Sequence, residues 1–204
     1  VKVPPVLSQD GSDLFVMTQN GVLYKIDTTT FTGTPDEVIT LGGEFTVPIA
    51  MDEDGYLYAL NSSGVLYKID TTGTERHAST GLTSSDSAGV LIDGDGFVYV
   101  FGGGKIFVFN NGLINMTPGG YSTGQKITTT PAIVKGTDGV TYVIVPSSAS
   151  DSSGKITILA FNPTVGTLTV EKVWDMPSSF PISAAVGVAP VNELNGNYYF
   201  ATAT

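Results

Sequence analysis

Residues 21–29 read Gly21-Val22-Leu23-Tyr24-Lys25-Ile26-Asp27-Thr28-Thr29, and residues 64–72 repeat the same nine residues 43 positions later. Self-similarity at a period of about 40–45 residues marks an array of small β-sheets, because one such unit cannot bury its apolar face alone and must stack on a neighbour. A second marker extends the period along the chain. Gly55-x-x-Tyr58 recurs as Gly96-x-x-Tyr99, Gly139-x-x-Tyr142 and Gly196-x-x-Tyr199, and Phe15 takes the place of the tyrosine in the first unit. Short apolar segments precede these markers: Val6-Leu7, Ile49-Ala50-Met51, Val90-Leu91-Ile92, Ala132-Ile133-Val134 and Ala189-Pro190-Val191.

Each unit therefore reads as four strands. A short apolar strand leads into a turn rich in Asp, Asn and Gly. An apolar strand follows, such as 56–60 or 97–101, then a Gly turn and a third strand, such as 22–26 or 105–109. A more polar outer strand, such as 37–41 or 168–173, closes the unit. Alternating β-rich runs bounded by Gly, Asn, Asp and Ser specify an all-β chain, and no helical periodicity is sustained. The predicted fold is a β-propeller of four-stranded antiparallel blades forming a single domain. Its units are about 1–43, 44–84, 85–126 and 127–184, with half of a fifth at 185–204. A stacked solenoid is the competing architecture, but its repeats are usually shorter. The chain opens at Val1 and stops half-way through a unit, so it reads as a piece of a longer protein, or as one whose open fifth blade pairs with a strand of another chain.

Charge narrows the partners. Nine Lys and Arg stand against 19 Asp and Glu, a net charge of −10, and no basic cluster exists. Such a surface repels phosphate backbones and anionic bilayers, so neither nucleic acid nor membrane insertion is expected. No apolar run approaches the ~20 residues of a membrane span. With no cysteine, disulfides, thiolate-bound zinc and thiol nucleophiles are excluded.

The residues Pro48-Ile49-Ala50-Met51-Asp52-Glu53-Asp54-Gly55-Tyr56-Leu57-Tyr58, followed by Gly64-Val65-Leu66-Tyr67-Lys68-Ile69-Asp70-Thr71-Thr72-Gly73, resemble the pyrroloquinoline-quinone-like propeller repeats of bacterial surface and periplasmic proteins. The resemblance covers nearly the whole chain. It implies the fold and leaves activity open, since enzymes, scaffolds and adhesins share it. Quinone enzymes of that family close their units with Trp after the Thr-Gly turn, and many carry a vicinal cysteine pair. Here Thr74-Glu75-Arg76-His77 follows Gly73, the sole Trp is Trp174, and no Cys is present. The resemblance thus points to the non-catalytic branch, without a quinone.

Two acidic turns, Asp52-Glu53-Asp54-Gly55 and Asp93-Gly94-Asp95-Gly96, carry the first acids of a calcium loop but lack its later ligands. Asp52, Asp54, Asp93 and Asp95 are calcium candidates, with a plain hairpin turn using Asp-Gly for positive φ as the alternative. Pilus-tip adhesin propellers carry calcium in an acidic turn. Asp151-Ser152-Ser153-Gly154 reads as an exposed hairpin tip. Asn61-Ser62-Ser63 and Asn115-Met116-Thr117 match the N-glycosylation acceptor pattern in turns. His77, the sole histidine, has no visible triad, and Gly102-Gly103-Gly104-Lys105 lacks the strand–helix context of a phosphate loop. Phe31, Tyr121, Trp174 and Phe180 lie outside the blade pattern, where they either cap blade edges or stack on sugars.

No catalytic constellation emerges. The expected function is a non-catalytic binding or scaffold propeller of an extracellular or cell-surface protein, with a periplasmic address as the variant. It would mediate adhesion or assembly by holding protein or glycan at its loop faces, without a cofactor unless the acidic turns take calcium. The alternatives are a propeller fragment of a larger secreted enzyme, polysaccharide-acting or quinone-dependent, and a lectin-like propeller.

Overall fold

The computed structural model describes residues 3–82, 87–127, 129–149 and 153–176. Among them there is no helix, and so none long and apolar enough to cross a membrane. Sixteen strands among the described residues form four four-stranded sheets. The first sheet contains β1 (Val6–Leu7), β2 (Asp13–Met17), β3 (Val22–Asp27) and β4 (Asp36–Thr40), paired in chain order. The second contains β5 (Ala50–Met51), β6 (Leu57–Leu60), β7 (Val65–Ile69) and β8 (Glu75–Ser79). The third contains β9 (Ser87–Ile92), β10 (Val98–Gly102), β11 (Lys105–Phe109) and β12 (Tyr121–Ser122). The fourth contains β13 (Ala132–Lys135), β14 (Thr141–Ala149), β15 (Ser153–Asn162) and β16 (Thr167–Asp175). The half-unit expected at 185–204, with its strand-pairing edge, lies outside the described residues.

The chain divides into two compact units, one of residues 1–100 and 109–115, the other of 101–108 and 116–204. In the first unit, Phe15, Met17 and Leu23 of the first blade form one core with Ile49, Leu57, Ala59, Tyr67 and Ile69 of the second. Each of the Phe, Met, Leu and Ile side chains among these contributes about 1.5–3 kcal/mol on burial. In the second unit, Ile144, Ile156 and Ile158 pack with Ala132, Val134 and Tyr142.

Burial varies across the strands of a blade. In the second and third blades the second and third strands are the buried ones: β6 and β10 are buried throughout, and β7 and β11 nearly so. The first strands, β1, β5 and β13, are only half-buried, because a first strand is a sheet edge with a neighbour on one side. Outer strands β4, β8 and β16 are largely exposed, as their polar sequences require.

The repeated nonapeptide opens on glycine for a steric reason. Gly21 and Gly64 both have positive φ (86° and 75°), and their carbonyls accept the N–H of Leu41 and Thr80 at the end of each outer strand. A Cβ at Gly21 would stand 2.5 Å from the Leu41 carbonyl oxygen, and one at Gly64 would be closer still to that of Leu82. Gly104 repeats the arrangement against Gln125. The triple-glycine run is thus the tight β10–β11 turn.

Candidate functional site

The acidic turns are built by their own first aspartate. Asp52 Oδ1 accepts the N–H groups of Asp54 (3.1 Å) and Tyr56 (2.8 Å), while Oδ2 accepts the Tyr58 hydroxyl at 3.0 Å. Asp93 repeats this with the N–H groups of Asp95 (3.0 Å) and Phe97 (2.9 Å) and the Tyr99 hydroxyl (2.8 Å). In the other unit, Asp138 accepts the Val140 N–H and the Tyr142 hydroxyl at 2.7 Å. The side chain substitutes for a backbone turn partner, which is the ordinary role of Asp at such a corner. Burial and the Asp52 charge push the Tyr58 phenol far above its usual range. The Tyr142 hydroxyl and the Val140 N–H hold the Asp138 carboxyl below its usual value.

Asp52, Asp54, Asp93 and Asp95 are brought together nonetheless. With Glu53 and Asn111 they line a cleft of about 170 Å³. Three donors apiece already engage the Asp52 and Asp93 carboxylates. Among the described residues, no group of three or more His, Asp or Glu is placed to hold a metal ion.

Asn111 also lines a second, larger cleft of about 350 Å³ with Tyr56, Lys68, Asp70, Thr74, Arg76 and Gly112. Lys68 Nζ donates to the Asn111 carbonyl at 3.2 Å and to Asn111 Oδ1, and it lies 3.9 Å from the centroid of the Tyr56 ring. Its side chain is mostly buried, and desolvation lowers its pKa against the opposing fields of Asp52 and Asp54. Arg76 lies directly across the β7–β8 pair from Lys68. Asp70 Oδ1 accepts from the Thr72 and Thr74 N–H groups and the Thr72 hydroxyl, which brings its pKa down to about 2. This cleft was not legible as a site in the sequence, where Lys68 is one residue of a repeat and Arg76 one of an outer strand.

No protein-family model matches the chain, and no curated protein matches it in sequence. Among solved structures it is similar to BamB from Moraxella catarrhalis, at 18% identity and a TM-score of 0.61 over 92% of this chain and 53% of that one. It is similar to BBS1N in complex with ARL6DN at 14% identity and a TM-score of 0.64, over 92% of this chain and 57% of that one. Virginiamycin B lyase from Staphylococcus aureus aligns at 10% identity and a TM-score of 0.51, over 85% of this chain and 68% of that one. The fold is a β-propeller. The chain spans little more than half the length of the first two structures.

Elsewhere on the propeller, several expected residues have other surroundings. Asn61 is buried at 3% exposure; its amide nitrogen donates to the Gly42 carbonyl at 3.0 Å and its oxygen accepts the N–H groups of Ser63 and Val65. The nitrogen that a sugar would be attached to is thus already engaged with the backbone of the turn. Asn115 is half-buried in an isolated bridge with Phe109, and Thr117 of the same triplet takes the Val108 N–H on its hydroxyl. His77 is exposed, with its ring 5.8 Å from that of Tyr67. Phe31 (73%) and Trp174 (37%) are exposed and Tyr121 is half-buried on β12, while Phe180 and Asp151 lie outside the described residues.

Proposed function

We propose that this propeller is a non-catalytic binding or scaffold module of an extracellular or cell-surface protein, acting in adhesion or assembly. The observation that carries the reading is the open polar cleft of Tyr56, Lys68, Arg76 and Asn111. It offers cationic, amide and aromatic groups to a ligand, while Asp52 and Asp93 beside it are committed to their turns. The likeness to pyrroloquinoline-quinone-like repeats of surface proteins, and the acidic, lysine-poor composition, support the same address. A propeller solved with ARL6DN bound illustrates that this fold holds protein partners, and we carry that general role over to this chain.

The test has two parts. A membrane-impermeant biotin reagent applied to intact producing cells should label the protein, and beads coated with it should adhere to target cells or to matrix. Labelling only after lysis would remove the surface address. Turnover of a quinone dye or a polysaccharide by the purified protein would replace the binding role with the enzyme alternative.

A further inference from the structure

The repeated nonapeptide supplies an internal control for the second cleft. In the first blade, Lys25 forms an ion pair with Asp13 at 3.9 Å, and Asp36 lies directly across the β3–β4 pair. An acid thus flanks it on either side, one of them in an ion pair. Lys68 occupies the same place in the same nine residues, in the same register with the strand before it, Phe15 opposite Lys25 and Tyr58 opposite Lys68. Neither acid is kept at its position, and the carboxylates whose fields still reach Lys68 are those of Asp52 and Asp54 in the preceding turn. Tyr56 stands at the Asp13 position and Arg76 at the Asp36 position.

Two cations directly across a strand pair repel each other, and burial raises the cost for Lys68. Among the described residues, Arg76 forms no ion pair. A chain with only nine Lys and Arg among 204 residues has thus placed two of them face to face in a cleft large enough for a small ligand. Lys68 is already fixed by Asn111, so the planar, exposed guanidinium of Arg76 is the group able to grip an incoming anion, with the Lys68 charge behind it.

The remaining lining defines the anion. A polyanion is repelled by the net charge of −10 and by the adjoining acidic turns. Asp70, held through Oδ1, keeps an acceptor oxygen, which suits a ligand that brings hydroxyl donors beside its single carboxylate. Thr74 and Asn111 add polar partners, and Tyr56 adds an aromatic wall, 36% exposed. Resting on the binding-module reading, we infer that this cleft binds a terminal acidic sugar carrying a single carboxylate, gripped by Arg76.

The test titrates the full chain with the methyl glycoside of N-acetylneuraminic acid, followed by calorimetry and by amide shifts in NMR. The same sugar with its carboxylate methyl-esterified and a blocked glutamate dipeptide serve as comparison ligands. Saturable binding of the acid sugar is expected, weakened about tenfold or more by Arg76→Gln and by esterification, with the glutamate probe far weaker. Arg76→Lys should recover part of the affinity, and Lys25→Gln should leave it unchanged. No saturation, equal binding of the ester, indifference to Arg76→Gln, or equal binding of the glutamate probe would each overturn the assignment. The sugar recovered from the titration separates this proposal from the one it rests on. Recovery of a cleaved glycoside sinks the non-catalytic reading but leaves the cleft as its site, whereas intact sugar with no binding sinks only the ligand assignment.

Discussion

The Tyr58 hydroxyl donates to Asp52 Oδ2 across 3.0 Å, with the ring fully buried and the carboxylate 8% exposed. Tyr58→Phe leaves that charged oxygen short of a donor, and should cost about 2 kcal/mol in urea denaturation. Tyr142→Phe removes the matching bond to Asp138, which is exposed and can turn to water, so its cost should stay below about 1 kcal/mol. Equal losses in the two variants would mean that burial does not set the strength of these turn bonds.

Glycine substitution should divide by the space around each position. Gly55 and Gly64 both have positive φ, but a Cβ at Gly55 meets nothing within 4 Å while one at Gly64 runs into the Leu82 carbonyl. Gly55→Ala should cost about 1 kcal/mol from the backbone alone. Gly64→Ala should cost about 3 kcal/mol or more, or fail to fold, because the β3–β4 type of closure cannot be kept in the second blade. Circular dichroism melts of the two variants make the comparison.

At high pH the tyrosines oppose folding. Burial raises the phenol pKa of Tyr58, Tyr67 and Tyr121 above the usual 10.0. The unfolded chain then loses these protons before the folded one does, so their contribution is full below pH 10.0 and declines as pH rises past it. Stability measured from about pH 9 to about pH 11 should fall, and Tyr58→Phe should show a shallower slope than the parent. Parallel slopes would remove Tyr58 from the alkaline limb.

At low pH the sign reverses. Asp10 and Asp70 are held near 2 instead of 3.8 by Ser8 and Thr72 hydroxyls and by nearby N–H groups. The folded state therefore stays ionised where the unfolded one takes up protons. This support is complete above 3.8 and disappears as pH falls through about 2. Asp70→Asn should flatten the acid limb of a Tm-against-pH curve over that window, and an unchanged limb would show that Asp70 titrates alike in the folded and the unfolded chain.

Chelation should leave the protein as stable as before. The Asp52 and Asp93 carboxylates already accept three hydrogen bonds each. A Tm lowered by EDTA and restored by calcium would show instead that Asp54 and Asp95 recruit ligands beyond the turn.

The blades were legible because their strands obey a fixed period, and glycines such as Gly21 and Gly64 mark turns that no other residue can make. The aspartate–tyrosine bonds were also written in the sequence: Asp52 and Asp93 each stand six residues before the recurring tyrosine. Their reading as calcium candidates or plain turns looked only within the turn and missed this third party on the next strand. The Lys68–Arg76 cleft was illegible for a different reason. Its two halves come from a segment identical between blades and from outer strands, DEVIT and ERHAS, that share no pattern. Register, which sequence similarity could not supply, puts Asp36 opposite one lysine and Arg76 opposite the other.

That contrast has an evolutionary corollary. Once a blade is copied, its interior peptide is tied to the core and to the glycine turn, so drift there is penalised. The solvent-facing last strand is tied to neither, and a handful of substitutions in it can reverse the polarity around an unchanged lysine. Ligand choice in such an array can therefore diversify copy by copy while the folding unit stays constant.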